Sequence, residues 1–176
     1  RILGVNLGFA GKYRVGLWTI AQVKLRAEQA ARGKLRLVCP DGDGISAGYH
    51  PLNGPLVSLA AGRDITVPVP IRPGRTSGWL RVEWEGEDSA RLERTFNSGE
   101  IPEAVLSSQQ LVVTLGNEIG IEEAVSSARR GENQNLATIA SRVESAEELP
   151  EIWYGYEGVS AIVLPSQPTA KGIDLL

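Results

Sequence analysis

Trp79-Leu80-Arg81-Val82-Glu83-Trp84-Glu85 alternates without a break. Successive side chains of an extended chain point to opposite faces, so Leu80, Val82 and Trp84 share one side and Arg81, Glu83 and Glu85 the other. That period of two predicts a sheet with one face in a core and one in water. Ile65-Thr66-Val67-Pro68-Val69-Pro70-Ile71 repeats the pattern, with apolar residues at 65, 67, 69 and 71. Pro68 and Pro70 have no N–H to give to a ladder, which predicts an edge strand. Working outward, strands are expected at 3–9, 13–26, 34–39, 56–60, 64–71, 78–85 and 90–96. Turn chemistry separates them: Gly11-Lys12, Asp41-Gly42-Asp43-Gly44, Asn53-Gly54-Pro55, Ala61-Gly62-Arg63-Asp64 and Pro73-Gly74. About seven short strands in under 100 residues predict an immunoglobulin-like β-sandwich over residues 1–97. Residues 20–32 are rich in helix formers, but their first half still alternates. A long strand ending near Ala27 and then a loop is the expectation, with a short helix over 27–32 as the alternative.

From about residue 108 the pattern changes. Gln110-Leu111-Val112-Val113-Thr114-Leu115-Gly116 is a continuous apolar run, as in a strand buried on both faces. Ile121, Ala124, Val125 and Ala128 recur at helical spacing over 121–130. Glu122 and Glu123 open that segment, and Arg129, Arg130 and Gly131 close it, which suits the helix dipole and a glycine stop. A second strand near 135–141, a short helix at 145–149 and a third strand at 159–165 complete a β-α-β-α-β order. This order predicts a partial α/β domain over 108–176, the start of a parallel, flavodoxin-like or amidotransferase-like sheet. The boundary is expected at Asn97-Ser98-Gly99-Glu100-Ile101-Pro102, a polar stretch that breaks both periodicities.

Composition narrows the function. The 176 residues are 42% hydrophobic and 22% charged, which is globular, and the net charge of −3 argues against broad binding to nucleic acid or anionic lipid. No apolar run reaches the roughly 18 residues a membrane span needs. One cysteine, Cys39, and one histidine, His50, leave no internal disulfide framework and no site built on several such ligands. The chain contains no methionine, opens directly into a strand-like stretch and stops at Gly172-Ile173-Asp174-Leu175-Leu176. These ends read as those of an internal piece of a longer protein.

Candidate chemistry is sparse. Asp41 and Asp43 are weak candidates for oxygen ligation of Ca²⁺. An EF-hand loop starting at Asp41 would require glutamate at position 52, where Leu52 stands, so a strand-connecting turn is the simpler expectation. The glycines at 116 and 120 do not make the G-x-G-x-x-G fingerprint of a dinucleotide loop, and Glu118 occupies the place a phosphate would approach. Cys39 ends an apolar strand and reads as a buried, inert thiol, not as half of a Cys39–His50 pair. Ser166 follows the third strand without a histidine partner in its half and reads as a capping or loop serine. No catalytic residue and no cofactor is assigned. Trp153-Tyr154-Gly155-Tyr156 is the most distinctive tetrapeptide. Trp153, Tyr154 and Tyr156 form a candidate interaction patch, or else they plug the junction between the two halves or the edge of the sheet. Trp18, Trp79 and Trp84 are expected in the core or rim of the sandwich, and a cluster of exposed tryptophans would mark a carbohydrate- or ligand-binding sandwich.

Three segments carry a family resemblance: Val5-Asn6-Leu7-Gly8-Phe9 with Lys12 to Thr19, Val38-Cys39-Pro40-Asp41-Gly42-Asp43-Gly44, and Pro150-Glu151-Ile152-Trp153-Tyr154-Gly155-Tyr156-Glu157-Gly158-Val159. Together they resemble a group of uncharacterised bacterial proteins, mostly planctomycete, that are large, membrane-anchored and extracytoplasmic. In that group a β-sandwich precedes a domain similar to class I glutamine amidotransferases, and a membrane span follows. The resemblance implies location in the cell envelope and fold more than activity, and any catalytic cysteine and histidine would lie beyond Leu176. The function expected is a non-enzymatic module whose partner is another protein or the rest of the parent chain. The alternatives are part of an amidotransferase-like or hydrolase enzyme, and a ligand- or carbohydrate-binding sandwich.

Overall fold

The computed structural model describes residues 1–102, 104–116, 120, 121, 124 and 137–164. The first eight strands form two antiparallel sheets. One has the order β1-β2-β6, from Ile2–Leu7, Thr19–Arg26 and Asp64–Ile71. The other runs β4-β3-β7-β8, from Ser46–Tyr49, Ala31–Pro40, Leu80–Gly86 and Arg91–Phe96, with β5 (Leu56–Leu59) also pairing β3. Alternation decides which side chains go inside. Leu80, Val82 and Trp84 of β7 meet Val67, Val69 and Ile71 of β6 and Ala21, Val23 and Leu25 of β2 in one buried cluster. This is a β-sandwich. Its proline-bearing strand β6 ends its sheet, pairing only β2 there, as a strand with missing donors must.

Several expected boundaries shift. Residues 13–18 are not strand, and β2 begins at Thr19. Gly16 adopts φ +77°, and its N–H donates to the Pro73 carbonyl at 2.8 Å, turning the chain before it can enter the ladder. Residues 28–30 form a loop, and β3 starts at Ala31, three residues before its expected start. β4 was not expected from the sequence. Its four residues carry no alternation, and it exists because Leu37, Val38, Cys39 and Pro40 of β3 supply a ladder for it.

The outward face of the larger sheet is an ionic ladder. Arg36 and Glu83 approach to 3.5 Å, Arg81 and Glu83 to 2.8 Å, and Arg91 and Glu85 to 2.9 Å. The Arg36–Glu83 and Arg91–Glu85 pairs cross between strands and favour register, Arg81–Glu83 lies within β7, and each exposed pair adds little stability.

A third, parallel sheet follows, with β9 (Gln110–Leu115) at its centre between β10 (Thr138–Val143) and β11 (Ala161–Val163). The apolar run at 110–116 is this central strand, and Leu111, Val113 and Leu115 are wholly buried. The β-α-β-α-β expectation fails at its second crossover. The segment between β10 and β11 holds two 3-10 turns, Ala146–Glu148 and Trp153–Tyr156, where a helix over 145–149 was expected. Ser145 and Glu148 close a capping box around the first turn, and Pro150 then prevents its extension into an α-helix. Of the expected helix at 121–130, Ile121 and Ala124 are described and helical, and the Ala124 N–H donates to the Gly120 carbonyl at 2.8 Å. The rest of that helix, the turn at 117–119 and Ser166 lie outside the described residues. With so little helix described, the structure is β-rich and gives the amidotransferase-like expectation no support.

Phe9 joins the two parts. It is 2% exposed and packs not with the sandwich core but with Leu111, Val113, Leu115 and Val143 of the parallel sheet. The Ser141 hydroxyl donates to its carbonyl. The connecting segment lies along the same region, with the Val105 N–H donating to the Tyr13 carbonyl at 2.7 Å and the Val15 N–H to the Val105 carbonyl at 3.1 Å.

Candidate functional site

The aromatic tetrapeptide divides its residues between two surfaces. Tyr156 turns inward, its ring centroid 5.8 Å from that of Phe9, and its hydroxyl donates to the Pro150 carbonyl at 2.8 Å. Burial pushes that phenol above its ordinary pKa. Gly155 is buried against Ile20 and Pro150, and a Cβ there would stand 2.6 Å from Pro150 Cβ. Glycine is what lets the turn sit this close to β2. Tyr154 and Trp153 turn outward, with Trp153 85% exposed.

These two rings meet aromatics of the sandwich. Trp18, immediately before β2, lies 5.6 Å from Tyr154 and 5.8 Å from Tyr49 at the end of β4, centroid to centroid. Trp153 stands 5.7 Å from Tyr154 with the ring planes at 90°. Each neighbour meets the next edge to face, the arrangement that aligns ring edges with the negative ring faces. Together with Pro70 of the edge strand and Glu157, they line an open cleft of about 570 Å³. That volume lies in the range of small-molecule sites, roughly 300–1,000 Å³.

Backbone contacts fix the polar groups of the cleft. Glu157 Oε2 accepts from the Trp18 backbone N–H at 2.8 Å, tying the aromatic turn to the start of β2. His50 Nδ1 stands 3.0 Å from the Leu35 carbonyl. A carbonyl can only accept, so Nδ1 carries the proton of that bond. The Tyr49 hydroxyl donates to the Arg72 carbonyl at 3.2 Å. Its phenol is held above its ordinary pKa, first by burial and then by the neighbouring Cys39.

The other sequence candidates lie elsewhere. Asp41 Oδ1 accepts from the N–H groups of Asp43 at 3.0 Å and Ile45 at 2.8 Å, so this carboxylate closes its own turn. Gly74 presses against that turn so closely that a Cβ would stand 2.0 Å from the Gly42 nitrogen. Among the described residues, no group of three or more His, Cys, Asp or Glu is placed to hold a metal. Cys39 is a free thiol in the sandwich core, and burial raises its pKa to about 11. His50 bonds instead to Leu35, and no Cys39–His50 hydrogen bond forms. Trp84 is core at 5% exposure, whereas Trp79 is half-buried beneath the Arg81 guanidinium, 5.5 Å from its ring. Of the three sandwich tryptophans, Trp18 is the one that clusters with other aromatics, the half-buried Tyr49 and Tyr154. The contribution of Tyr49 was missed in the sequence. Its signal is the local Gly48-Tyr49-His50-Pro51, an aromatic among loop residues.

No protein-family model matches this sequence, and no curated protein matches it. Among the described residues, no helix is long and apolar enough to cross a membrane.

Proposed function

We propose that this chain is a non-enzymatic recognition module and that the aromatic cleft is its binding site. Trp153 carries the reading. A tryptophan 85% exposed at the lip of an aromatic cleft leaves a large apolar surface in water, and burying it on a ligand recovers that cost. Glu157 and His50, which line the cleft, are both engaged with backbone, an arrangement that suits holding a ligand better than moving protons. The test is a tryptophan-emission screen against oligosaccharides, peptides and small organic ions, run on the wild type and on Trp153→Ala. At least one class should shift the wild-type emission saturably and leave the variant unmoved. If no class does so, the reading fails. Trp153→Ala itself should change unfolding free energy by no more than about 0.5 kcal/mol, because the ring is exposed.

We further read the sandwich as immunoglobulin-like, because a three-strand β1-β2-β6 sheet facing β4-β3-β7-β8 fits that strand exchange. Residues 1–97 and 108–176 are proposed as its two domains, in an extracytoplasmic parent protein of the group resembled in the sequence. A second reading, part of an amidotransferase-like enzyme, draws on the parallel order β10-β9-β11, which starts doubly wound sheets. It requires catalytic groups from chain outside these residues. Glutaminase activity in a longer chain would favour it, and its absence there would remove it.

A further inference from the structure

We infer that the aromatic cleft binds a small solute carrying an alkylated ammonium group. The inference rests on the recognition reading above and adds the chemistry of the ligand.

Charge selects the sign. The cleft is walled by the rings of Trp18, Tyr49, Trp153 and Tyr154, whose faces carry the negative part of the ring quadrupole. Glu157 adds a full negative charge, and among the described residues neither lysine nor arginine lines the space. Arg36, whose guanidinium lies against Gly48 at the margin, pairs with Glu83 at 3.5 Å. Glu157 is the one carboxylate among the described lining residues and stands beside four aromatic rings, so the cleft favours a cation over an anion.

Hydrogen-bond capacity selects the kind of cation. A guanidinium brings five donors and a primary ammonium three. Glu157 Oε2 is already accepting from the Trp18 N–H, and the Tyr49 hydroxyl faces the Arg72 carbonyl. Most of the lining is aromatic ring, so a donor-rich cation keeps fewer hydrogen bonds here than in water, with Glu157, His50 and the tyrosine hydroxyls the side-chain acceptors on offer. A trimethylammonium group has no donors. It gives up weak hydration and gains contact with the aromatic lining. The cleft's volume, about 570 Å³, fits a small molecule bearing such a group.

Choline is the probe, and 3,3-dimethyl-1-butanol, its neutral isostere, is the control. Choline should shift tryptophan emission saturably, and the neutral isostere should bind at least about tenfold more weakly, the separation a cation–π site gives. Trp153→Ala and Glu157→Gln should each weaken choline binding several-fold. Glutamine keeps an acceptor for the Trp18 N–H, so that variant removes charge without releasing the turn. Equal binding of choline and the isostere would overturn the inference and leave the recognition module standing. So would failure of choline alongside Trp153-dependent binding of a neutral oligosaccharide. A trimethyllysine peptide binding at least about tenfold tighter than choline would overturn the assignment to a small solute. If nothing in the wider screen binds, this inference and the recognition reading both fall.

Discussion

At the scale of single residues, Cys39 reports on the sandwich core. Burial raises its thiol from near 9 to about 11. Between those values the unfolded chain ionises its thiol while the folded chain keeps the proton, so ionisation favours unfolding and stability falls as pH rises. Below about 9 the contribution is fully present. The unfolding free-energy gap between wild type and Cys39→Ala should therefore shrink across this interval, by on the order of 2 kcal/mol, in denaturant titrations at successive pH values. Asp41 makes a second residue-scale case. Asp41→Ala leaves the N–H groups of Asp43 and Ile45 without their acceptor and should cost about 1–2 kcal/mol. Asp41→Asn keeps a side-chain carbonyl and should cost less than half as much. Added Ca²⁺ should leave the wild-type Tm unchanged, and a rise of several degrees would restore the metal reading.

At the scale of elements, the decisive contact is the aromatic turn on β2. Gly155→Ala forces a methyl group against Pro150 Cβ and should destabilise the protein by roughly 1–3 kcal/mol. Because the same turn carries Tyr154 to Trp18, the variant should also red-shift tryptophan emission, and repeating the comparison in a Trp153→Ala background removes the contribution of Trp153. The strands most legible in the sequence were those whose faces differ most in solvent exposure. In β7, Leu80, Val82 and Trp84 alternate with charges, and in β6 the prolines announced an edge. β4 was illegible because a four-residue strand owes its existence to the ladder offered by β3. The helix expected at 145–149 had a sound start signal at Ser145, but proline at 150 left it a single 3-10 turn. The candidate site was half legible. Trp153 and Tyr154 stood out as a local cluster, whereas their partners Trp18 and Tyr49 sit more than 100 residues upstream, and periodicity says nothing about which faces meet at that distance.

At the scale of the whole molecule, one aromatic ring ties the first strands to the last. Phe9→Ala empties a fully enclosed position in the core of the parallel sheet and should cost about 3–5 kcal/mol, although residue 9 belongs by sequence to the sandwich. Calorimetry of that variant should show the transition splitting or broadening as the two parts lose the ring that joins them. Phe9 was legible as the close of a strand-like run but not by its partners, since a ring at the end of an alternating run looks the same wherever it packs. The arrangement also sets a timetable for biosynthesis. Phe9 emerges from the ribosome 134 positions ahead of Val143, which helps to enclose it. At about 5–20 residues per second the ring waits roughly 7–27 s for its pocket. During that interval the nascent chain displays a bare phenylalanine beside an otherwise completed β-layer, and a chaperone that reads exposed aromatics has its clearest opportunity there.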